Sequence, residues 1–519
     1  MRYDVVIVGS GAGGGPLALR LSQARMNVLV LEKGPRFDPD DYVHDPLVIT
    51  HGVFTPSIDN DPHTVVTPKT RSPQRTTLGW VASCVGGGTS HMGAYFFRFH
   101  PRDFRMGSAY GERYGLADWP FDYDALEPFY CEAEQEVGVS GAGGANPFEG
   151  GRSAPYPLAP LESHPIAETL DDVCAARGLT AFPTPRAINS AAYMGRPACS
   201  YCETCAGYGC PTNARGSTQA ALLPRAEATG YCRVEANAMV REILVGPHGA
   251  KGCVYINEAG QEIEVEAGVV CICASSIESA RLLLLSKSPR HPDGLGNNHG
   301  LVGRNLQFHA VTMGFGDIPR ANIKEGAFAS PFIGRSVMDY YFLPPGVCDF
   351  AKGGIIRFDF DRQLPNGDVA QCDVSAKRIH FEAFHDYLST DGNYIELDDT
   401  VADHWGLPVA RIHLDPHPFH REIGAWLGAR AADLLYDLGA SSVKLTDIGA
   451  TSSYLVMGTC RAGRDPANSV LDVNCELHET PGVYVVDGSF MPTSAGAPPT
   501  LTILANSFRV ARHIAAINR

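Results

Sequence analysis

"YDVVIVGSGAGGGPLALRLSQARMNVLVLEKGPR", residues 3–36, reads as a buried strand, a glycine turn, a helix and a second strand ending in an acid, in that order. Gly9, Gly11 and Gly14 fall on the spacing G-x-G-x-x-G. The first allows the tight turn, the second lets the backbone approach a pyrophosphate, and the third lets helix pack closely on strand. The helix N-terminus then offers free N–H groups to the phosphate. Glu32 ends the second strand, where a carboxylate accepts hydrogen bonds from a ribose diol. A glycine trio alone says little, since a glycine-rich turn can serve packing only. With the strand before it, the amphipathic helix after it and the acid in register, the stretch specifies dinucleotide binding. Candidate cofactor contacts are Gly9, Gly11, Ala12, Gly13, Gly14, Glu32 and Lys33.

The chain of 519 residues is too long for one simple core, and two packing units are expected. With 44% hydrophobic and 19% charged residues it has the composition of a soluble globular protein. A formal net charge of -15 argues against non-specific binding to nucleic acid and is compatible with a cationic small substrate. Asp4 interrupts what would be the apolar region of a signal peptide, and no apolar run approaches the roughly 20 residues that cross a bilayer. A cytoplasmic protein without a membrane span is therefore expected. Fifteen cysteines in such a chain read as thiols or metal ligands rather than as a disulfide framework. Cys271 and Cys273 in "VVCICAS" alternate within an apolar strand and read as small buried hydrophobes.

Which dinucleotide is bound is less clear from the first unit, although "EKGPR" after the second strand favours FAD by analogy with flavoproteins. The other end of the chain decides it. "GVYVVDGSFMPTSAGAPPTLTILANSFRVARHI", residues 482–514, is a short apolar strand, an Asp-Gly turn and a Pro-Thr loop leading into a helix. Together with the first motif it resembles the glucose-methanol-choline family of FAD-dependent oxidoreductases. Residues 84–104 and 118–141 are similar to segments of the sugar- and polyol-oxidising branch, that of pyranose oxidase and of gluconate and fructose dehydrogenase. Residues 269–286 resemble the strand and turn beside the FAD, with Ser275 where glycine is usual, and residues 393–412 resemble a strand pair of the substrate domain.

The resemblance implies an α/β fold, with a doubly wound FAD-binding domain and an antiparallel-sheet α+β substrate domain. The FAD domain would take residues 1–110, 190–310 and 450–519, and the substrate domain residues 111–189 and 311–449. It also implies that Asp487 lies near the ribityl-pyrophosphate. His91, in "GGGTSHM", falls where pyranose oxidase-like members carry a histidine bonded covalently to the flavin, so it is expected to contact FAD, with or without that bond. Cys199, Cys202, Cys205 and Cys210 follow C-x2-C-x2-C-x4-C, a spacing that could hold an iron-sulfur cluster or one zinc ion. The alternative is a loop of structural thiols or a disulfide.

Oxidation of an alcohol on flavin requires the hydroxyl proton to leave to a base as hydride leaves the carbon. In the family a histidine four residues before the threonine of "GT" is that base, and a histidine or asparagine after "PT" assists it. Here the first position is Leu455 and the second Pro498, neither of which has a side-chain acceptor. Three readings follow. In the first the base has moved to the substrate domain, where "KRIHFEAFHDY" supplies His380 and His385, with Tyr454 adjacent to the lost position. In the second an amine on the substrate acts as its own base. In the third the protein is a flavoprotein with non-redox chemistry, as the hydroxynitrile lyases of the family are, or an electron-transfer or binding subunit. The expected function is FAD-dependent oxidation of a hydroxyl of a sugar, amino sugar or polyol. Whether oxygen, a quinone or a partner protein reoxidises the flavin is not written in the sequence.

Overall fold

The computed structural model describes residues 2–42, 54, 57–79, 82–202, 205–323, 330–360 and 376–518. Val5, Val6 and Ile7 are fully buried in β1 (Arg2–Val8), which lies between two parallel neighbours and is covered on both faces. These neighbours are β2 (Val28–Leu31) and the 11-residue β9 (Glu262–Ile272). β6 (Cys232–Glu235) adds in parallel beyond β2. β9 is long enough to be shared on its other side. Its first half pairs antiparallel with β8 (Gly249–Ile256), and its last residues pair parallel with β17 (Val483–Val485). β7 (Met239–Gly246) completes this seven-stranded sheet beyond β8.

The parallel strands all end at one edge, so Gly9, Glu32, Cys273 and Asp487 emerge there together from β1, β2, β9 and β17. Ligands of doubly wound sheets bind at that edge. Cys271 and Cys273 are buried at the end of β9, as their alternation implied. Helices α1 (Gly14–Gln23), α2 (Tyr123–Val137) and α5 (Thr500–Ile517) pack on one another and bury their apolar faces in the same core.

A second sheet of six strands runs in the order β16-β10-β13-β12-β11-β5 and is antiparallel throughout. Its strands are β5 (Ala181–Pro183), β10 (Ala310–Pro319), β11 (Arg335–Val337), β12 (Gly354–Phe360), β13 (Ala376–His385) and β16 (Val443–Thr451). Period-two alternation sorts the two faces. Ile356, Phe358, Ile379, Phe381 and Ala383 point into a core shared with helix α4 (Phe419–Asp437). The residues between them point to the opposite side.

The strand pair expected over residues 393–412 is present as β14 (Tyr394–Ala402) and β15 (Pro408–His413). It forms a separate sheet with β3 (His63–Val66) and β4 (Gln74–Thr76). This small sheet therefore draws strands from segments the sequence places in different domains. It is tied to α3 (Ser276–Leu285) by polar contacts: His63 Nε2 meets Glu278 Oε1 at 3.1 Å, and Arg281 forms an ion pair with Asp403 at 2.5 Å. Among the described residues no helix is long and apolar enough to cross a membrane.

Candidate active site

A cavity of about 780 Å³ extends from the carboxyl edge of the first sheet to the face of the second. At the first end the glycines divide by what surrounds them. A Cβ on Gly9 would lie 2.3 Å from the Cys273 carbonyl oxygen, one on Gly13 2.8 Å from that of Val486, and one on Gly14 2.0 Å from that of Gly9. These three are small because protein atoms are close. Around Gly11 the nearest atoms to such a Cβ are 3.8 Å away, and the residue lines the cavity. That is the arrangement a pyrophosphate approaching the backbone needs.

Glu32 also lines the cavity and accepts hydrogen bonds from the Ser10 N–H (3.1 Å), the Ser10 hydroxyl (2.7 Å) and the Gly34 N–H (3.2 Å). Burial pushes its carboxyl above the usual range. Asp487 is fixed in the same way by the N–H groups of Ser275 (3.0 Å) and Ser489 (2.8 Å) and by the hydroxyls of Ser279 and Ser489. Ser275 adopts φ +81°, a left-handed conformation that explains the family's glycine there. Lys33 lines the cavity with its ammonium held by Asp61 at 2.6 Å and Glu278 at 3.6 Å.

His91 lines the cavity and stacks on Phe54, with ring centroids 5.2 Å apart and planes 6° from parallel. Burial, with the Arg215 charge adding to it, lowers its pKa to about 4, so the imidazole is neutral. The Gly207 N–H donates to the His91 carbonyl (2.7 Å), which brings the cysteine loop against this end of the cavity.

At the other end, β12 and β13 present four polar side chains on one face. Arg357 stands directly opposite Glu382 and Asp359 directly opposite His380, and all four line the cavity. The Arg357 guanidinium donates to Asp359 (2.9 Å), to the Tyr95 hydroxyl (2.7 Å) and to Glu382, and it lies 3.8 Å from the centre of the Tyr95 ring. Met313, Phe384, Leu455 and Pro498 supply apolar wall to the same cavity.

Residues 12–311 and 389–507 match the N- and C-terminal family models described as GMC oxidoreductase. The chain belongs to the GMC oxidoreductase family. It is 33% identical to paromamine 6'-oxidase of Streptomyces fradiae and 32% identical to 6'''-hydroxyparomomycin C oxidase of Streptomyces lividus, over 99% of this chain and 91% of each relative. Among solved structures it is similar to formate oxidase of Aspergillus oryzae, with a TM-score of 0.69 at 14% identity, over 99% of this chain and 98% of that one. The cradle of this GMC oxidoreductase fits the FAD that the family binds: the open space at Gly11, the α1 N-terminus and the buried carboxylates Glu32 and Asp487 converge on it.

The structure separates the residues considered for catalysis in this GMC oxidoreductase. His380 is in the cavity, whereas His385 is fully buried and lies outside the lining. His385 Nδ1 is 3.1 Å from the Asp386 carbonyl, and burial lowers its pKa to about 3. A group sealed in this way cannot meet a substrate. Tyr454 is 50% exposed and also lines the cavity. Leu455 and Pro498, which the family resemblance aligns with its acceptors, both line the cavity.

Burial raises the Cys199 thiol and Cys205, Cys202 and Cys210 add to that shift, so the four thiols considered as metal ligands lie near one another. Among the described residues no three histidine, cysteine or carboxylate side chains stand together as a metal site requires. Local donors engage several thiols instead. Cys199 Sγ accepts the Tyr201 N–H (3.3 Å), Cys210 faces the Thr212 hydroxyl (3.7 Å), and Cys205 Sγ faces Arg186 and Arg215 (3.5 and 3.6 Å).

Arg357, Asp359 and Glu382 were not singled out from the sequence. Their signal was the alternation itself: "IIRFDF" places Arg357 and Asp359, and "HFEA" places His380 and Glu382, two residues apart in otherwise apolar strands.

Proposed function

We propose that this chain oxidises a hydroxyl group of an amino sugar, sugar or polyol in an FAD-dependent reaction, with His380 taking the hydroxyl proton. One observation carries the reading. A single cavity joins the dinucleotide cradle to a sheet face bearing His380, while positions 455 and 498 offer that cavity no acceptor. When bound, FAD supplies the hydride acceptor. His380 would accept the proton at an imidazole nitrogen, and Asp359 across the strand pair would stabilise the cation that results. Met313, Phe384, Leu455 and Pro498 would exclude water from the reacting carbon.

The test is anaerobic addition of sugars, amino sugars and polyols to the FAD-loaded protein. Bleaching of the visible absorbance supports the reading. If dithionite bleaches the protein and none of these compounds does, the reading falls. Oxygen, a quinone or a protein acceptor, supplied one at a time to the bleached enzyme, is then identified by the return of colour. The covalent tether implied for His91 has its own test: colour that stays with acid-precipitated protein supports it, and colour released to the supernatant removes it.

A further inference from the structure

Residues 492–500 read "PTSAGAPPT". The last three line the cavity, and before them only Thr493 and Ser494 have polar side chains, so the loop has few anchors of its own. It is held from outside. The Pro492 carbonyl accepts from Asn305 (3.0 Å) and Gln307 (2.9 Å), Gln307 accepts the Ser494 N–H (2.6 Å), and Trp119 donates to the Thr493 hydroxyl (2.9 Å). The Ser494 hydroxyl accepts the Tyr387 N–H (2.8 Å) and donates to Asp386. The Gly496 N–H donates to the Tyr341 hydroxyl (3.2 Å), which donates to Asp103 (2.6 Å). Behind these contacts Lys352 pairs with Asp103 and lies 3.5 Å from Asp386. Asp103, Tyr341, Lys352, Asp386 and Ser494 are each at most 1% exposed, and none lines the cavity.

We propose that Asp386 is a positioning residue for the oxidation: through the bond it accepts from Ser494 it fixes the 492–498 loop, and with it the place of Pro498 and Pro499 on the cavity wall. This rests on the FAD-dependent oxidation proposed above, adds a residue outside the cavity that sets the geometry within it, and does not depend on His380 being the base. The buried charges support it first. A lysine and two carboxylates sealed in the interior gain little net stability over apolar packing, whereas displacing one partner strands a charge at high cost. Such a cluster resists movement more than it adds stability. Its place in the fold is the second support. Lys352 stands two residues before β12 and Asp386 directly after β13, so the loop is referenced to the strand pair that carries the polar face of the cavity. Gly496 adds a steric reason, since a Cβ there would lie 2.6 Å from the Cα of Gly354, the first residue of β12. Wall and polar face are thereby held in one register, and a shift of about 1 Å between groups around a reacting centre can cost about 10²-fold in rate.

The experiment uses the FAD-loaded protein and reads the visible circular dichroism of the bound flavin, together with anaerobic flavin reduction by glucosamine, glucose and sorbitol. Ser494→Ala and Asp386→Ala break the bond from either end. Both are expected to alter the flavin dichroism and to lower the limiting rate at least about tenfold, with the dissociation constant changed much less. Asp386→Asn keeps an oxygen for the Ser494 hydroxyl and should retain the wild-type dichroism and most of the rate. Leu434→Ala, a truncation in the α4 core outside the cavity lining, should lower the melting temperature and leave both readouts as in wild type. The positioning role is overturned if Ser494→Ala folds with wild-type rate and dichroism, if Asp386→Asn loses as much as Asp386→Ala, or if Leu434→Ala loses as much as either. If Asp386→Ala does not fold, Ser494→Ala decides by the same readouts, and failure of both to fold makes the cluster a folding element and overturns the role. If none of the three compounds reduces the wild-type flavin, the proposed oxidation loses its support and the dichroism alone decides the anchorage.

Discussion

Asp359 and His380 stand directly opposite each other on β12 and β13, and both side chains reach the cavity that also receives Leu455 and Pro498. Directly opposed residues of an antiparallel pair have Cβ atoms about 4.5–5.5 Å apart, which brings the carboxylate and the imidazole within reach of each other. Loss of a general base typically lowers a rate by about 10² to 10⁴. His380→Gln is therefore expected to slow anaerobic flavin reduction by about that factor at saturating substrate, with the visible spectrum of the FAD unchanged. His385→Gln should cost stability, about 1–3 kcal/mol as buried polar changes do, and leave the rate per folded enzyme unaltered. Stopped-flow reduction of both variants checks the contrast, and equal rates in the two would remove His380 from the mechanism.

The glycine turn predicts two different failures. Gly9 has φ +95° and no room for a Cβ beside Cys273, and Gly14 has none beside the Gly9 carbonyl. Alanine at either position should prevent folding or give protein with a melting temperature lowered by many degrees. Gly11→Ala has no close neighbour among protein atoms, so it should fold with native circular dichroism. Its added methyl would lie where the pyrophosphate approaches, so the purified protein should carry at least about tenfold less FAD per chain. The ratio of visible to ultraviolet absorbance reads this directly.

Buried histidines make the fold sensitive to mild acid. Burial holds His91, His164 and His309 down to about 4, His385 to about 3, and His420 well below its ordinary value. Each folded-state pKa is depressed, so the unfolded chain binds the proton more readily, and the stability contributed is present above about 6.5 and is lost as pH falls toward the folded values. Asp386 opposes this. Burial raises it to about 6, so it favours the folded state as pH drops, as do the raised carboxyls of Glu32 and Asp487. In the window from 6.5 to 5 the five histidines outweigh Asp386. The melting temperature should therefore fall between pH 7 and pH 5, and His309→Gln should flatten that fall.

The sequence made the cradle legible because its constraints are local. Gly9, Gly14 and Glu32 are set by a strand, a turn and a helix that are contiguous in the chain, and each has one steric or electrostatic reason to be what it is. The substrate end was legible only in part. His380 and His385 lie five residues apart on one strand and look alike in sequence, yet odd and even positions of β13 face different surroundings and only register decides what each meets. His385 lies at the end of the strand, where the sheet closes against His309 and His420. Arg357 and Glu382 pair across 25 residues of sequence, a relation no local pattern states. The cysteine loop is a different case: the sequence places four thiols in one short loop, and in the fold two arginines engage Cys205 while a backbone N–H engages Cys199.

The segment that lost the family's histidine retains its scaffold, and this gives the sharpest test of relocation. A Cβ on Gly458 would lie 2.0 Å from the Asn305 carbonyl oxygen, and Gly458 has φ +73°. Its N–H donates to the Gly488 carbonyl (3.0 Å), while the Thr459 hydroxyl donates to that of Ser276 (2.7 Å). The loop is therefore fixed to the two segments that carry Ser275 and Asp487, and Leu455 is held at the cavity wall by backbone contacts that do not depend on its side chain. Leu455→His restores an acceptor at that wall. In the wild-type background, where the proposal has His380 taking the proton, it should change the reduction rate little. In the His380→Gln background it should recover at least about tenfold of the lost rate, a gain of about 1.4 kcal/mol in transition-state stabilisation. The recovered activity should require a neutral imidazole and so fall on the acid side of the pH–rate profile. Recovery in the double variant with little change in the single one supports a base moved from the loop to the sheet. An equally large gain in both backgrounds would mean that His380 was never the base.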